Sequence, residues 1–89
     1  MDLKIKGKKA IICASSRGLA KGCANSLGQE GVELFINGTN RENLNKTEEE
    51  FLKKGYKVQA VLGPMEEEST RKALLSACPD PDILINNSG

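Results

Sequence analysis

Short apolar runs alternate with longer amphipathic segments along the chain, and this alternation predicts its secondary structure. Apolar runs of strand length predict β-strands at residues 10–14, 32–36, 56–62 and 82–86. Between them, apolar residues at helical spacing predict α-helices at residues 17–29, 41–54 and 66–77. The residues expected on the buried helix faces are Leu19, Cys23, Leu27, Leu44, Phe51, Leu52, Ala73, Leu74 and Ala77.

The order of these elements is β-α-β-α-β-α-β, which is typical of α/β proteins with a parallel sheet. Right-handed crossover connections place helices on the faces of such a sheet. The continuous apolar run Ile83-Leu84-Ile85 fits a strand that is buried on both sides. We therefore expect a doubly wound parallel sheet of the Rossmann type, with the strand order 3-2-1-4 and helices on both faces.

The connection between the first strand and the first helix is small and polar, and it contains Gly18. A tight turn from a buried strand into a helix N-terminus directs free backbone N–H groups into one crevice, which binds anions such as nucleotide phosphates. A dinucleotide-binding turn has three residues without bulk. Here Ala14 and Ala20 flank Gly18, so an ordinary strand-to-helix connection is the alternative interpretation.

The other predicted strands are also followed by small or polar turns, at residues 38–41, 63–64 and 87–89. In an open parallel sheet, ligands bind outside the carboxyl ends of the strands. Because these turns all meet at that edge, the sequence predicts a nucleotide site there. The predicted cofactor-binding residues are Ala14, Ser15, Ser16, Arg17, Gly18, Leu19, Thr39, Asn40, Arg41, Gly63, Pro64, Asn87, Ser88 and Gly89.

Composition and charge argue against several other classes of protein. The net charge of +1 gives no electrostatic reason for a nucleic-acid or membrane partner. No apolar run approaches the roughly 20 residues that span a bilayer, and the first residues lack a signal-peptide core. Cys13, Cys23 and Cys78 lack metal-ligand spacing, so we expect no metal site and buried free thiols in a reducing cytoplasm.

Two motifs resemble those of the short-chain dehydrogenases/reductases. Residues 13–20, Cys-Ala-Ser-Ser-Arg-Gly-Leu-Ala, resemble the family's Thr-Gly-x3-Gly-x-Gly cofactor motif, and residues 86–89, Asn-Asn-Ser-Gly, resemble its Asn-Asn-Ala-Gly motif. The resemblance covers essentially the whole chain and is greatest to 3-oxoacyl-[acyl-carrier-protein] reductase-like members. It implies an NADP-dependent oxidoreductase with a small-molecule carbonyl or alcohol substrate, which assembles as a homo-oligomer, either a tetramer or a dimer.

The chain departs from the family pattern within these motifs. Ala14 and Ala20 replace turn glycines, and Cys13 stands where the family has a Thr whose hydroxyl ties neighbouring strands together. A thiol is a weaker hydrogen-bonding group than a hydroxyl. Gly63 and Pro64 occupy the place of an Asp that holds the adenine amino group in the family, and neither residue supplies that carboxylate.

The family's catalytic Ser, Tyr and Lys have no counterpart among these 89 residues, since Tyr56 is followed four positions later by Ala60 and not by Lys. The resemblance implies that residues 1–89 are a partial NAD(P)-binding domain without the catalytic half, and that the native chain continues. A non-catalytic nucleotide-binding or regulatory module and an inactive truncated remnant are the alternatives. A response-regulator-like domain is disfavoured, because no paired acidic residues end the first strand.

Cofactor choice depends on the residues that follow the second strand. A site that prefers NAD places an Asp or Glu there to bind the ribose 2′-OH, whereas here the first carboxylate is Glu42. Alignment with the family puts Gly38 at the Asp position, and Thr39 where NADP-binding members often carry Arg. Arg17 matches a basic turn residue of NADP-dependent members, and Arg41 opens the next helix. We predict that Arg17 binds a 2′-phosphate and that NADP is preferred over NAD. Arg41 either binds the same phosphate or is a solvated residue at the start of its helix.

Overall fold

The computed structural model describes residues 7–13, 18–64 and 66–86. Their secondary structure follows the predicted order, and every described end lies within two residues of its predicted position. The elements are β1 (Lys9–Cys13), α1 (Gly18–Gln29), β2 (Glu33–Gly38), α2 (Arg41–Lys53), β3 (Val58–Leu62), α3 (Glu68–Ala77) and β4 (Ile83–Asn86). The predicted end of β1 at Ala14 and the predicted start of α1 at Arg17 lie outside the described residues.

The described strands form a parallel sheet in the order β3-β2-β1-β4, which confirms the predicted topology. Strand β1 pairs with both β2 and β4, so that Ile11 lies between Phe35 and Leu84. Strand β3 pairs with the other side of β2. Helices α1 and α2 pack on one face of this sheet and α3 packs on the other.

The core has two layers, because successive residues of a strand face opposite sides of the sheet. The layer under α1 and α2 contains Ala10, Ile12, Ala24, Val32, Leu34, Ile36, Leu44 and Phe51. The layer under α3 contains Ile11, Cys13, Phe35, Leu74 and Cys78. Strands β1 and β2 both contribute to the two layers and form the centre of the described sheet.

Three residues expected on buried helix faces are in fact exposed, namely Cys23, Leu52 and Ala73. Each lies one position from a residue that is buried, and one position is about 100° around a helix. The buried neighbours are Ala24 in α1, Phe51 in α2 and Leu74 in α3. The exposure of Cys23 also corrects the expectation of buried thiols, which holds for Cys13 and Cys78.

Helix α2 ends in a Schellman motif. The Gly55 N–H donates to the Leu52 carbonyl at 3.0 Å, and the Tyr56 N–H donates to the Phe51 carbonyl at 3.1 Å. Gly55 has a φ of +86°, which glycine adopts without steric cost. The rings of Phe51 and Tyr56 lie 5.6 Å apart and supply the apolar contact that accompanies this motif. This cap is the reason that β3 begins at Val58 and not at residue 56.

Tyr56 also joins α1 to the end of α2. Its hydroxyl donates to Asn25 Oδ1 at 3.1 Å, and Lys54 Nζ donates to the same oxygen at 2.8 Å. Its ring lies against Gly28, where an added Cβ would be 2.5 Å from the nearest ring carbon. The close approach of this ring to α1 therefore requires glycine at position 28.

We expect Gly28→Ala to lower the free energy of unfolding by up to about 2 kcal/mol. Overpacking costs about 1–3 kcal/mol. The roughly 1 kcal/mol by which alanine is favoured over glycine in a helix offsets part of that cost. The matched control is Gly22→Ala in the same helix, because no atom lies within 4 Å of that added Cβ. Urea unfolding should show the control gaining up to about 1 kcal/mol, and equal shifts in both variants would contradict the contact with Tyr56.

A second prediction concerns the start of α2, where Asn40 Oδ1 accepts a hydrogen bond from the Asn43 N–H at 2.9 Å. Asn40→Ala should lower the free energy of unfolding by about 1 kcal/mol, the usual cost of losing an N-cap. Asn40→Asp keeps the acceptor and serves as the control. The capping role would be refuted if urea unfolding showed the same loss for both variants.

Candidate functional site

The carboxyl ends of the described strands lie in one row at the same edge of the sheet, which we call the carboxyl edge. Strands β1 and β4 end side by side at Cys13 and Asn86, and β2 and β3 end side by side at Gly38 and Leu62. The chain leaves β1 toward β2 on one side and returns to β4 on the other side. Such a change of direction in the strand order is where open parallel sheets bind ligands.

The structure brings only part of the predicted site into the described region. Thr39, Asn40 and Arg41 follow β2 and reach α2, Gly63 and Pro64 follow β3, and Gly18 and Leu19 open α1. The remaining predicted residues lie outside the described residues. They are Ala14, Ser15, Ser16, Arg17, Asn87, Ser88 and Gly89.

Helix α1 begins at Gly18, shortly after β1 ends at Cys13. The first N–H groups of a helix have no partner within the helix, and the positive end of the helix dipole lies there. The first turn of α1 contains no acidic residue. This N-terminus is therefore suited to a phosphate group, and its own first turn places no negative charge against one.

Helix α2 begins at the same edge, but its N-terminus is partly occupied. Asn40 Oδ1 accepts from the Asn43 N–H, and the Asn40 carbonyl accepts from the Leu44 N–H at 2.9 Å. The Asn40 side chain, which was predicted to contact the cofactor, therefore caps the helix. Arg41 is exposed and offers a bidentate donor for phosphate, while the adjacent Glu42 carries the opposite charge. The second anion position is accordingly weaker than the first.

The end of β3 and the turn after it are tied to β2 by hydrogen bonds of the backbone and of the Asn37 side chain. The Gly63 N–H donates to the Gly38 carbonyl at 3.0 Å. Asn37 Nδ2 donates to the carbonyls of Gly63 at 2.9 Å and Val61 at 3.1 Å. The Thr70 side chain of α3 lies where a Cβ of Gly63 would be, and the φ of Gly63 is +140°. The packing of this turn therefore leaves no room for a carboxylate side chain at position 63.

Asn37 is absent from the predicted site residues, because the apolar run that predicts β2 ends at Ile36. The strand continues to Gly38, and Asn37 is only 2% exposed. A sequence signal existed, since Asn37 shares a face of the strand with Phe35 and a polar side chain there needs buried partners.

Cys13 ends β1 in the middle of the carboxyl edge and is buried. Burial raises the pKa of its thiol above the ordinary value, so that the thiol is neutral at pH 7. Cys13 therefore brings no negative charge to the place where an anion would bind.

A cavity of about 250 Å³ adjoins the carboxyl edge between α2 and β3. Its lining includes Arg41 at the start of α2 and Leu62 at the end of β3. Another cavity, of about 240 Å³, lies at the opposite edge of the sheet beside Gly28 and Tyr56. Of these two cavities, the first is the one next to predicted site residues.

The described residues contain no group of three or more His, Cys, Asp or Glu side chains that could hold a metal ion. None of the described helices has the length and apolar character needed to cross a membrane.

No protein-family model matches the chain, but curated proteins do. The uncharacterized oxidoreductase YvaG of Bacillus subtilis (strain 168) is 38% identical over 93 residues, which covers 100% of this chain and 34% of that protein. The 3-oxoacyl-[acyl-carrier-protein] reductase FabG of Aquifex aeolicus (strain VF5) is 33% identical over 94 residues, which covers 100% of this chain and 38% of that protein. The chain spans about a third of the length of the curated relatives it matches.

Solved structures share the fold. The L-sorbose reductase from Gluconobacter frateurii, complexed with NADPH and L-sorbose, matches with a TM-score of 0.90 and 28% identity, over 100% of this chain and 36% of that chain. The apo-form of glucose dehydrogenase from Caenorhabditis elegans matches with a TM-score of 0.88 and 29% identity, over 98% of this chain and 40% of that chain. The motifs of this chain, its sheet and its relatives together show that the chain belongs to the short-chain dehydrogenase/reductase family. It matches the N-terminal part of that family.

Proposed function

We propose that this chain is the cofactor-binding part of an NADP-dependent oxidoreductase. One arrangement at the carboxyl edge carries the proposal. A helix N-terminus without acidic residues follows the central strand β1, and β2 leads into Gly38-Thr39-Asn40 without a carboxylate. The first feature suits a pyrophosphate, and the second leaves a 2′-phosphate without a repelling charge.

One named relative supports the class of activity in this proposal, and another supports the cofactor. YvaG is an oxidoreductase, and the L-sorbose reductase structure contains NADPH. When bound, the nicotinamide supplies hydride transfer to a carbonyl carbon or from an alcohol carbon. The residues of this chain bind and orient the cofactor. The first N–H groups of α1 hold the pyrophosphate, and Arg17 and Arg41 bind the 2′-phosphate.

The proposal extends to the whole protein. The proton-transfer residues Ser, Tyr and Lys belong to a segment beyond residue 89, and the similarity to FabG supports a 3-oxoacyl-[acyl-carrier-protein] reductase-like substrate. The protein acts on small molecules as a homo-oligomer in the cytoplasm, without a nucleic-acid or membrane partner. The free thiols of its cysteines support a reducing compartment. A Tyr-x3-Lys motif in the downstream sequence distinguishes this enzyme from a non-catalytic module.

The test is to measure the dissociation constants of NADP and NAD for the protein that contains this chain. We expect NADP to bind at least about tenfold more tightly, because each charge-assisted hydrogen bond contributes about 1.5–3 kcal/mol and each 1.4 kcal/mol is tenfold. Arg17→Ala should remove most of this preference, and Arg41→Ala should remove a smaller part because Glu42 offsets its charge.

The matched control is Lys53→Ala, which removes the same charge from the other end of α2, about 18 Å away at 1.5 Å per residue. It should leave the ratio of the two dissociation constants unchanged. Equal affinities for NADP and NAD, or an Arg17→Ala variant that keeps the full preference, would defeat the assignment.

A further prediction concerns Gly18, the first residue of α1. Gly18→Val should abolish the binding of both nucleotides, because a branched side chain would stand where the backbone approaches the pyrophosphate. Circular dichroism should show that most of the secondary structure remains. Gly22→Ala, which meets no atom within 4 Å, is the control in the same helix. Unchanged nucleotide affinity in Gly18→Val would show that the turn is an ordinary connection.

A further inference from the structure

The side chain of Asn37, near the end of β2, is bonded to the end of β3 and to the turn that follows β3. Its amide nitrogen has two hydrogens, and the nitrogen donates to Gly63 O at 2.9 Å and to Val61 O at 3.1 Å. The residue is 2% exposed, so these bonds are shielded from water. Asn37 therefore links the end of β2 to the end of β3 by side-chain bonds that add to the strand pairing.

The turn after β3 is held from other directions as well. The Gly63 N–H donates to the Gly38 carbonyl at 3.0 Å, and the Thr70 side chain fills the space beside the Gly63 Cα. Thr70 is itself buried in α3. With Asn37 in place, Gly63 is therefore fixed by β2 and by α3, and a displacement of either turn displaces the other.

The turn that begins at Gly38 leads directly to Arg41, the first residue of α2. In this fold the end of the second strand is where the 2′ position of the cofactor ribose is recognised. A guanidinium–phosphate bond needs a donor–acceptor distance of about 2.7–2.9 Å. Small movements of this turn therefore weaken a bond to a 2′-phosphate more than they weaken the binding of a pyrophosphate at α1.

We propose that Asn37 is a positioning residue for cofactor specificity, which holds the turns after β2 and β3 so that the 2′-phosphate of NADP is bound. This inference rests on the proposed function, because it concerns the same site. Asn37 acts through Gly38 and Gly63 and does not itself contact the cofactor. NAD has no 2′-phosphate, so its binding depends much less on Asn37.

The experiment compares Asn37→Ser with Ile36→Val in the protein that contains this chain. The serine is too short to reach both carbonyls. Ile36 is the neighbouring buried residue of β2, and its loss of one methyl group weakens the core without touching either turn. We expect the NADP:NAD affinity ratio to fall about threefold in Asn37→Ser and by no more than in Arg41→Ala, because the turn that Asn37 holds leads to Arg41. The affinity for NAD should change by less than about twofold, and the ratio should stay constant in Ile36→Val.

If Asn37 had a purely structural role, its replacement would weaken the binding of both cofactors by the same factor. An unchanged NADP:NAD affinity ratio in folded Asn37→Ser therefore overturns the inference. If Asn37→Ser does not fold, Asn37→Leu takes its place, since leucine has a similar shape, cannot donate to the two carbonyls and adds no charge beside the 2′-phosphate. Failure of both variants to fold also overturns the inference, because Asn37 would then be a structural residue. A wild-type protein that binds NADP and NAD equally, or neither, defeats the proposed function itself, and this result is separate from any variant.

Discussion

The rest of the fold depends on the burial of β1 on both of its faces. Ala10 and Ile12 pack under α1 and α2, while Ile11 and Cys13 pack under α3. A strand in this position also needs partners along both edges, because its buried N–H and C=O groups must be hydrogen-bonded. Strands β2 and β4 supply them. Parallel pairing then requires crossover helices, and it puts the carboxyl ends of the described strands at one edge.

The order of elements and strands could be predicted from the sequence because their signals are local. An apolar run, a helical spacing and a glycine such as Gly55 are each visible within a few residues. The helix faces could be predicted less well. Hydrophobicity alone placed Leu52 inward, whereas the direction in which α2 contacts the sheet exposes Leu52 and buries the polar residue Thr47.

At the site, the turns after β2 and β3 could be predicted because they follow strand ends. Asn37 could not be found in this way, because its partners Val61 and Gly63 lie 24 and 26 positions further along the chain. The carbonyls that satisfy a buried amide are identified by the pairing of strands in three dimensions. The sequence predicts that β2 and β3 are neighbours, but local patterns do not specify the register that brings these two carbonyls to Asn37.

The two helix N-termini at the carboxyl edge differ in their electrostatic surroundings. That of α1 has no acidic residue in its first turn, whereas that of α2 is capped by Asn40 and carries Glu42. In the proposed function, affinity therefore comes mainly from the α1 end, which NADP and NAD share. Discrimination between the two cofactors comes from the side chains of Arg17, before α1, and Arg41, at the start of α2. These side chains can be replaced without altering the backbone N–H groups of α1, so affinity and discrimination can change independently.

Gly63 and Thr70 have a consequence for how sequences with this turn diverge. A side chain at position 63 would collide with Thr70, and a smaller residue at position 70 would leave a void beside the glycine. Each replacement alone is thus destabilising, and a side chain at position 63 is also strained by the φ of +140° that Gly63 adopts. A lineage that acquires a side chain at this turn must pass through a less stable intermediate, so neutral drift tends to preserve the pair. Packing thus conserves this turn of the carboxyl edge independently of any ligand contact.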